Sequence, residues 1–253
     1  MSGELDGRVA AVTGGGSGIG RAIAYELAAI GAAVLVADIT EKAAEETADE
    51  ARKRGARSEA VRCDVSRETD AAAMVAAATQ RFGRLDFLVN CAGNLPRLLP
   101  VVDLPESDWN ALLDVHLTGT FLCSRAAFDV IAEHEGAVVN LSSSYAFKGR
   151  PTAADYSAAK AGIFGFTRAL AVELAPHATA NAIAPGPIDT PRWRAGLSED
   201  ELAAKRARRT ADVPMGRLGI PEDIARTVAF LLGPNARWIT GQVFHVNGGE
   251  FFP

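Results

Sequence analysis

The sequence predicts a doubly wound α/β protein, a parallel sheet of about seven strands with helices on both faces. Three observations carry this. Short β-branched runs alternate with longer alanine-rich segments of helical period along all 253 residues. Most of the strand candidates are apolar on both faces, as strands buried in a parallel sheet must be. No linker, composition shift or internal repeat divides the chain, so residues 1–253 read as one domain. Right-handed crossovers would bring the C-terminal ends of the strands to one edge. Ligands of such sheets bind at that edge.

The first strand, 8–13, runs into Thr13-Gly14-Gly15-Gly16-Ser17-Gly18-Ile19-Gly20 and then a helix at 18–30. Glycine lets the backbone turn sharply and approach a ligand closely. A helix N-terminus offers unpaired N–H groups and a positive dipole end, which suits a pyrophosphate. The spacing is GxxxGxG; a GxGxxG register would need glycine at Ile19. Alone, such a loop could serve turn geometry only. Its place after the first strand of a βαβ unit points to a dinucleotide. The second strand, 32–38, ends at Asp38. A carboxylate there can accept bonds from ribose hydroxyls and repel a 2′-phosphate. Ile39 follows it, no arginine flanks it, and Ser17 stands where a base could have met that phosphate. The expected cofactor is therefore NAD rather than NADP.

A helix at 41–54 leads to a strand at 58–65, whose exit places Asp64 and Val65 as candidate cofactor contacts. After a helix at 67–82, the strand at 85–90 runs into Asn90-Cys91-Ala92-Gly93, small residues that leave room for a cofactor. A long helix at 106–134 precedes the strand at 136–142, and Ser143 lies just past it. The helix at 152–175 opens with Thr152-Ala153-Ala154-Asp155, a predicted capping box. The strand at 179–184 runs into Pro185-Gly186-Pro187-Ile188-Asp189-Thr190. A mobile substrate lid is expected at 191–213, followed by a helix at 221–232 and a strand at 242–246.

Tyr156 and Lys160 sit four apart on the 152–175 helix and so share a face. A free tyrosine has a pKa of about 10, and bringing it to ~7 needs about 4 kcal/mol of preference for the phenolate. One positive charge at ~5 Å and an effective dielectric of ~20 supplies roughly 3 kcal/mol. Lys160 is thus the right size of perturbation, provided burial, which acts the other way, is limited. Tyr156 would then serve as general acid–base on an alcohol or carbonyl oxygen. Ser143 would donate to that oxygen as its charge changes.

The net charge of −5 gives no reason to expect nucleic acid. Cys63, Cys91 and Cys123 are widely spaced without a CxxC pair, and read as reduced intracellular thiols. The histidines His116, His134, His177 and His245 are scattered, and no metal site is expected. The N-terminus lacks a basic, then apolar leader, and no apolar run approaches the ~18 residues of a membrane span. A cytoplasmic protein that engages no membrane is the expectation.

Together, TGGGSGIG, Asp38, CDV, NCAG, Ser143, Tyr156-x-x-x-Lys160 and PGPIDT resemble the short-chain dehydrogenase/reductase family in its single-domain form. The resemblance implies that the glycine loop (Gly14, Ser17, Gly18, Ile19, Gly20) and Asp38 hold the cofactor. It puts Asp64 and Val65 at the adenine, and Asn90, Ala92 and Gly93 along the cofactor. Lys160 would bond the nicotinamide ribose. Beyond Pro185 and Gly186, Ile188 and Thr190 would meet the carboxamide. Asn94, Leu95, Ser144, Tyr145 and Pro187 would line the substrate cavity, with Trp193 either reaching it or only anchoring the lid. One position departs. The family's asparagine in VNLxG is His116 here, in Val115-His116-Leu117-Thr118-Gly119. That asparagine helps hold a proton relay to the lysine, so His116 either keeps a relay role or fills space. The usual aspartate before the terminal glycine pair is Asn247.

The lid is basic at 192–194 and 205–209, which raises the prospect of an anionic substrate. The Ser198–Glu201 capping box, with acids first and bases last, favours an ordinary helix complementing its dipole. The resemblance implies a homotetramer through the 106–134 and 152–175 helices, the latter carrying small residues at Ala154, Ala158, Ala161, Gly162 and Gly165. The expected activity is NAD-dependent interconversion of a small-molecule secondary alcohol and its ketone. The rivals are a 3-oxoacyl-(carrier protein) reductase, a sugar-nucleotide epimerase or dehydratase, and a dinucleotide-binding protein without turnover.

Overall fold

The computed structural model describes residues 3–252. In chain order it contains β1 (Val9–Thr13), α1 (Gly18–Ala29), β2 (Ala33–Asp38), α2 (Glu41–Lys53), β3 (Ser58–Arg62), α3 (Glu68–Phe82) and β4 (Phe87–Asn90). There follow α4 (Glu106–Leu113), α5 (Gly119–Glu133), β5 (Ala137–Leu141), α6 (Tyr145–Lys148), α7 (Ala154–Leu174) and β6 (Thr179–Pro185). The chain closes with α8 (Pro191–Arg194), α9 (Glu199–Ala211), α10 (Pro221–Leu232) and β7 (Val243–Val246). The seven strands form one sheet in the order β3-β2-β1-β4-β5-β6-β7, every pair parallel. The order reverses between β1 and β4, so a crevice opens past their C-terminal ends.

The strand period of two divides the core into two layers. Val34 and Val36 of β2 face the layer holding Ile23 and Leu27 of α1 and Ile224 and Val228 of α10. Ala33, Leu35 and Ala37 face the layer of Met74, Cys123, Ile131, Leu170 and Leu174. Both faces of the central strands are covered, which explains their continuous apolar reading.

Three expectations are corrected. The 58–65 strand ends at Arg62, leaving Asp64 and Val65 in the turn beyond it. The 106–134 helix is not continuous: a widened π-type turn, Asp114–Thr118, separates α4 from α5. Within it the Thr120 hydroxyl donates to the His116 carbonyl at 2.7 Å. Such turns interrupt the regular backbone ladder and re-aim a side chain, here His116. The capping box at 152–155 does not form. Ala153 precedes α7 without a side-chain cap. Thr152 adopts φ +62°, and its hydroxyl donates back to the Pro151 carbonyl. Asp155 accepts from the adjacent Tyr156 N–H instead. The Ser198–Glu201 box at α9 does form.

Among the described residues no helix is long and apolar enough to cross a membrane.

Candidate active site

The glycine loop packs as a cradle with no room for side chains. A Cβ on Gly14, which sits at φ +65°, would lie 2.8 Å from the Ala92 Cα, and one on Gly20 would lie 2.2 Å from the Gly14 carbonyl oxygen. Thr13 pins the facing segment: its hydroxyl accepts from Cys91 N–H at 3.0 Å and Ala92 N–H at 3.2 Å. Ser17 precedes α1 but gives no side-chain cap, so the first-turn amides of α1 are open to an anion. Thr190 lies across the crevice, its Cβ 3.7 Å from where a Gly18 Cβ would sit. The loop after β1 and the one after β6 are thus two walls of one groove. The residues fit a dinucleotide, in both the amide cradle and the carboxylate at its far end.

That carboxylate, Asp38, accepts from Gly16 N–H at 3.0 Å and Thr40 N–H at 2.9 Å, which fixes it at the rim. Two cations of this end already have partners. Arg21 donates to the Gly16 carbonyl and to Thr47, and Arg62, opposite Asp38 in the sheet, pairs with Asp70. Asp64 accepts from the Ser66 N–H and hydroxyl, and Val65 packs on Gly119. The Asn90 side chain is turned into the protein. It is buried, and its amide donates to Ser124 at 3.0 Å and Asn140 at 2.8 Å. Asn140 in turn donates to Thr167. This buried chain ties β4 and β5 to α5 and α7, a structural duty. Within this chain of bonds the Asn90 Oδ1 lacks a partner among the described residues.

Ser143, Tyr156 and Lys160 converge past β5, as the spacing predicts. Lys160 is buried, its ammonium 5.9 Å from the Tyr156 ring centroid, and it donates to the Leu141 carbonyl at 2.6 Å. Burial lowers the Lys160 pKa to about 8. Burial also dominates at Tyr156 and pushes its pKa up; the Ser143 hydroxyl, by hydrogen bonding, and the Arg150 charge pull it down. The expected sign at Tyr156 is therefore reversed in the protein alone. The residue keeps partial surface exposure, but desolvation of its polar end outweighs the Ser143 bond and the Arg150 charge.

His116 is buried with its ring edge-on to Tyr156, centroids 5.4 Å apart. Its Nε2 lies 3.0 Å from both the carbonyl and Oδ1 of Asn94, and 3.2 Å from the Asn94 N–H. The ring fits because residue 93 is glycine; a Cβ there would approach its Cε1 to 2.4 Å. Its Nε2 contacts hold the Asn94 segment, and its Nδ1 is buried without a protein partner among the described residues. Burial first, then the Lys160 charge, lowers its pKa to about 2.

That shift carries a stability consequence. Below pH 6.5, the ordinary value, the unfolded chain takes up a proton at this position and the fold does not. Stability therefore falls as pH drops, by about 2 kcal/mol between pH 6.5 and 5. The thermal midpoint should fall over this range, and His116→Asn should flatten the profile. His245, also held neutral by burial, remains in both proteins. Parallel profiles would show that His116 contributes nothing.

The substrate end is only partly as expected. Asn94 and Leu95 are exposed at the rim, Tyr145 is half-buried, and Trp193 lies under the Lys205 ammonium at 4.3 Å. Pro187 is buried, its carbonyl accepting from Gly219 N–H. Ile188 is buried beside Gly219, and a Cβ on Gly186 would strike Asn247. Asn247 accepts from Gly249 N–H and donates to the Phe251 carbonyl, so it closes the terminal glycine turn. Ser144 does not line the cleft through its hydroxyl, which donates to Glu250 at 3.0 Å. Glu250 was missed from sequence. Its side chain is 1% exposed and also pairs with Lys148 at 2.6 Å and Arg209 at 3.0 Å, joining α6, α9 and the C-terminal segment. Arg192 donates to the Gly93 carbonyl, docking the start of the 191–213 segment against the loop after β4. Asp189 holds both Arg194 and Arg206. No local pattern flags the Glu250 and Arg192 contacts, since their partners lie far apart in sequence.

The chain is similar to known proteins over nearly its whole length. The family model described as enoyl-(acyl carrier protein) reductase matches residues 14–250. The chain is 43% identical over 250 residues to the short-chain reductase protein NovJ of Streptomyces niveus, covering 96% of this chain and 93% of that protein. It is 40% identical over 249 residues to the (2S)-[(R)-hydroxy(phenyl)methyl]succinyl-CoA dehydrogenase subunit BbsD of Thauera aromatica, covering 97% of each. A crystal structure of a short-chain dehydrogenase/reductase from Brucella melitensis, titled glucose/ribitol dehydrogenase, superposes with a TM-score of 0.91 at 33% identity over 100% of both chains. From its motifs, its sheet order and these matches, the chain belongs to the short-chain dehydrogenase/reductase family of nicotinamide-dinucleotide oxidoreductases.

Proposed function

We propose that the protein is an NAD-dependent oxidoreductase that interconverts a small secondary alcohol and its ketone. The observation that carries this is the convergence of Ser143, Tyr156 and Lys160 beside an amide-lined groove whose rim bears Asp38. The nicotinamide, when bound, supplies or accepts the hydride. Tyr156 holds the proton exchanged with the substrate oxygen, and Ser143 orients that oxygen. Lys160, released from the Leu141 carbonyl, holds the ribose and supports negative charge on Tyr156. Gly14, Ser17, Gly18, Ile19 and Gly20 cradle the pyrophosphate. Ile188 and Thr190 close the opposite wall.

The preference for NAD is supported by Asp38 at the rim and by the commitment of Arg21 and Arg62 to other partners. NADH and NADPH at equal concentration test it. NADH should be preferred by about 10-fold or more, since a 2′-phosphate would meet a carboxylate without a compensating cation. Preference for NADPH would overturn the reading of Asp38 and favour the 3-oxoacyl-(carrier protein) reductase alternative.

We further read residues 1–253 as one domain of a cytoplasmic homotetramer. Phe121 on α5 and Val172 on α7 are exposed, and the space over Gly165 is open, which supports helix-to-helix association. Sedimentation of the intact protein as a monomer would remove that part.

A further inference from the structure

Tyr145 follows the candidate serine Ser143 by two residues, and its N–H donates to the Ser143 hydroxyl at 3.2 Å. Its ring is the centre of a cation cluster drawn from three segments. The Lys148 ammonium and the Arg150 guanidinium each lie 5.2 Å from the ring centroid, and the Arg209 guanidinium lies 5.8 Å away. Lys205 of the same lid helix is close enough for the charges of Arg150 and Arg209 to depress its pKa, after burial. Against these four cations the cluster holds one carboxylate, Glu250, already shared by Lys148 and Arg209. Among the described residues Lys205 donates only to the neutral Trp193 carbonyl. Arg150 is half-buried and has no carboxylate partner among the described residues. In a chain of net charge −5 this is a local positive excess. It lies beside the Ser143 loop, because the Tyr145 ring that carries Arg150 belongs to the residue whose N–H donates to the Ser143 hydroxyl.

Half-burying an unpaired guanidinium among other cations costs stability unless something completes it. A guanidinium fork recognises the two oxygens of a carboxylate or phosphate. We infer that Arg150, stacked on Tyr145 and assisted by Lys205, is a subsite for an anionic group of the substrate, so that the preferred alcohol or ketone is an acid or is carried on one. The lid helix supplies Lys205 and Arg209, so a bound anion would also hold the lid against the Ser143 loop. This inference rests on the oxidoreductase reading for the identity of the ligand as substrate; anion binding itself does not depend on turnover.

The test is calorimetric titration of the protein with acetoacetate, acetoacetyl-CoA and methyl acetoacetate, with NADH oxidation followed in the same samples. At least one anion should bind about 10- to 100-fold tighter than the neutral ester, the range of a charge-assisted contact. Arg150→Met should bring that ratio close to one, Arg150→Lys should restore part of it, and Lys53→Met should keep it. Preference for acetoacetate identifies a carboxylate near the reacting carbon; preference for acetoacetyl-CoA alone identifies the carrier's phosphates. For wild type, the anion's advantage should shrink as sodium chloride is raised. This arm decides the matter should Arg150→Met not fold. Equal binding of anion and ester, or a preference unmoved by salt or by Arg150→Met, overturns the subsite. Anion preference without NADH oxidation leaves the subsite standing and removes the proposed activity.

Discussion

Tyr156→Phe binds NADH like the parent and loses about 10²- to 10⁴-fold in turnover, the range of a positioned proton donor. The substitution removes one oxygen and keeps the ring, so the edge-on contact with His116 at 5.4 Å survives. The groove is untouched, because its walls come from the loops after β1 and β6. What is lost is the hydroxyl beside Ser143, the group the proposal gives the proton. Its pKa is raised by burial in the protein alone. Phenolate must therefore be favoured by charges that arrive or move when the dinucleotide binds, among them Lys160 once it leaves the Leu141 carbonyl. Quenching of intrinsic fluorescence by NADH reads binding, and absorbance of NADH reads turnover. Turnover equal to the parent's would remove Tyr156 as the proton carrier.

Glu250→Ala destabilises the fold by about 3–5 kcal/mol, the cost of breaking a buried ion pair from one side. The carboxylate is almost fully buried and accepts from Ser144, Lys148 and Arg209. Lys148 and Arg209 retain 26% and 22% side-chain exposure, so neither can fully resolvate once Glu250 is gone. The change also leaves four cations around Tyr145 with no acid. Urea unfolding at pH 7 should show the loss, and added salt should recover part of it by screening the repulsion. Glu250→Gln should cost less, since it keeps an acceptor for Ser144. A loss of under about 0.5 kcal/mol, as for a surface pair, would refute the hub.

The site was unevenly legible in the sequence. The order Gly14–Gly20, Asp38, Asn90–Gly93, Ser143, Tyr156, Lys160 and Pro185–Thr190 placed every wall of the groove. Strand exits in a parallel sheet share an edge whatever the packing details. The capping box at 152–155 failed because Thr152 takes a left-handed backbone that turns its hydroxyl away, a choice set by the preceding turn. The acidity expected of Tyr156 was conditional on limited burial, and in the protein alone burial raises its pKa, because spacing along a helix measures the approach of a charge but not the loss of water around the phenol. His116 was visible as a departure, yet its partner Asn94 was not. The widened turn that aims it has no signature in the residues 114–118.

Alternation of apolar strands with helical segments is local information, and it was enough to determine the sheet and the edge at which Ser143, Tyr156 and Lys160 meet. Which charges meet at the substrate end was decided only by tertiary structure. Lys148, Arg150, Arg209 and Glu250 come from segments up to about 100 residues apart. Coulomb and desolvation energies depend on distance and burial in space, and neither is written in the spacing of residues along a chain.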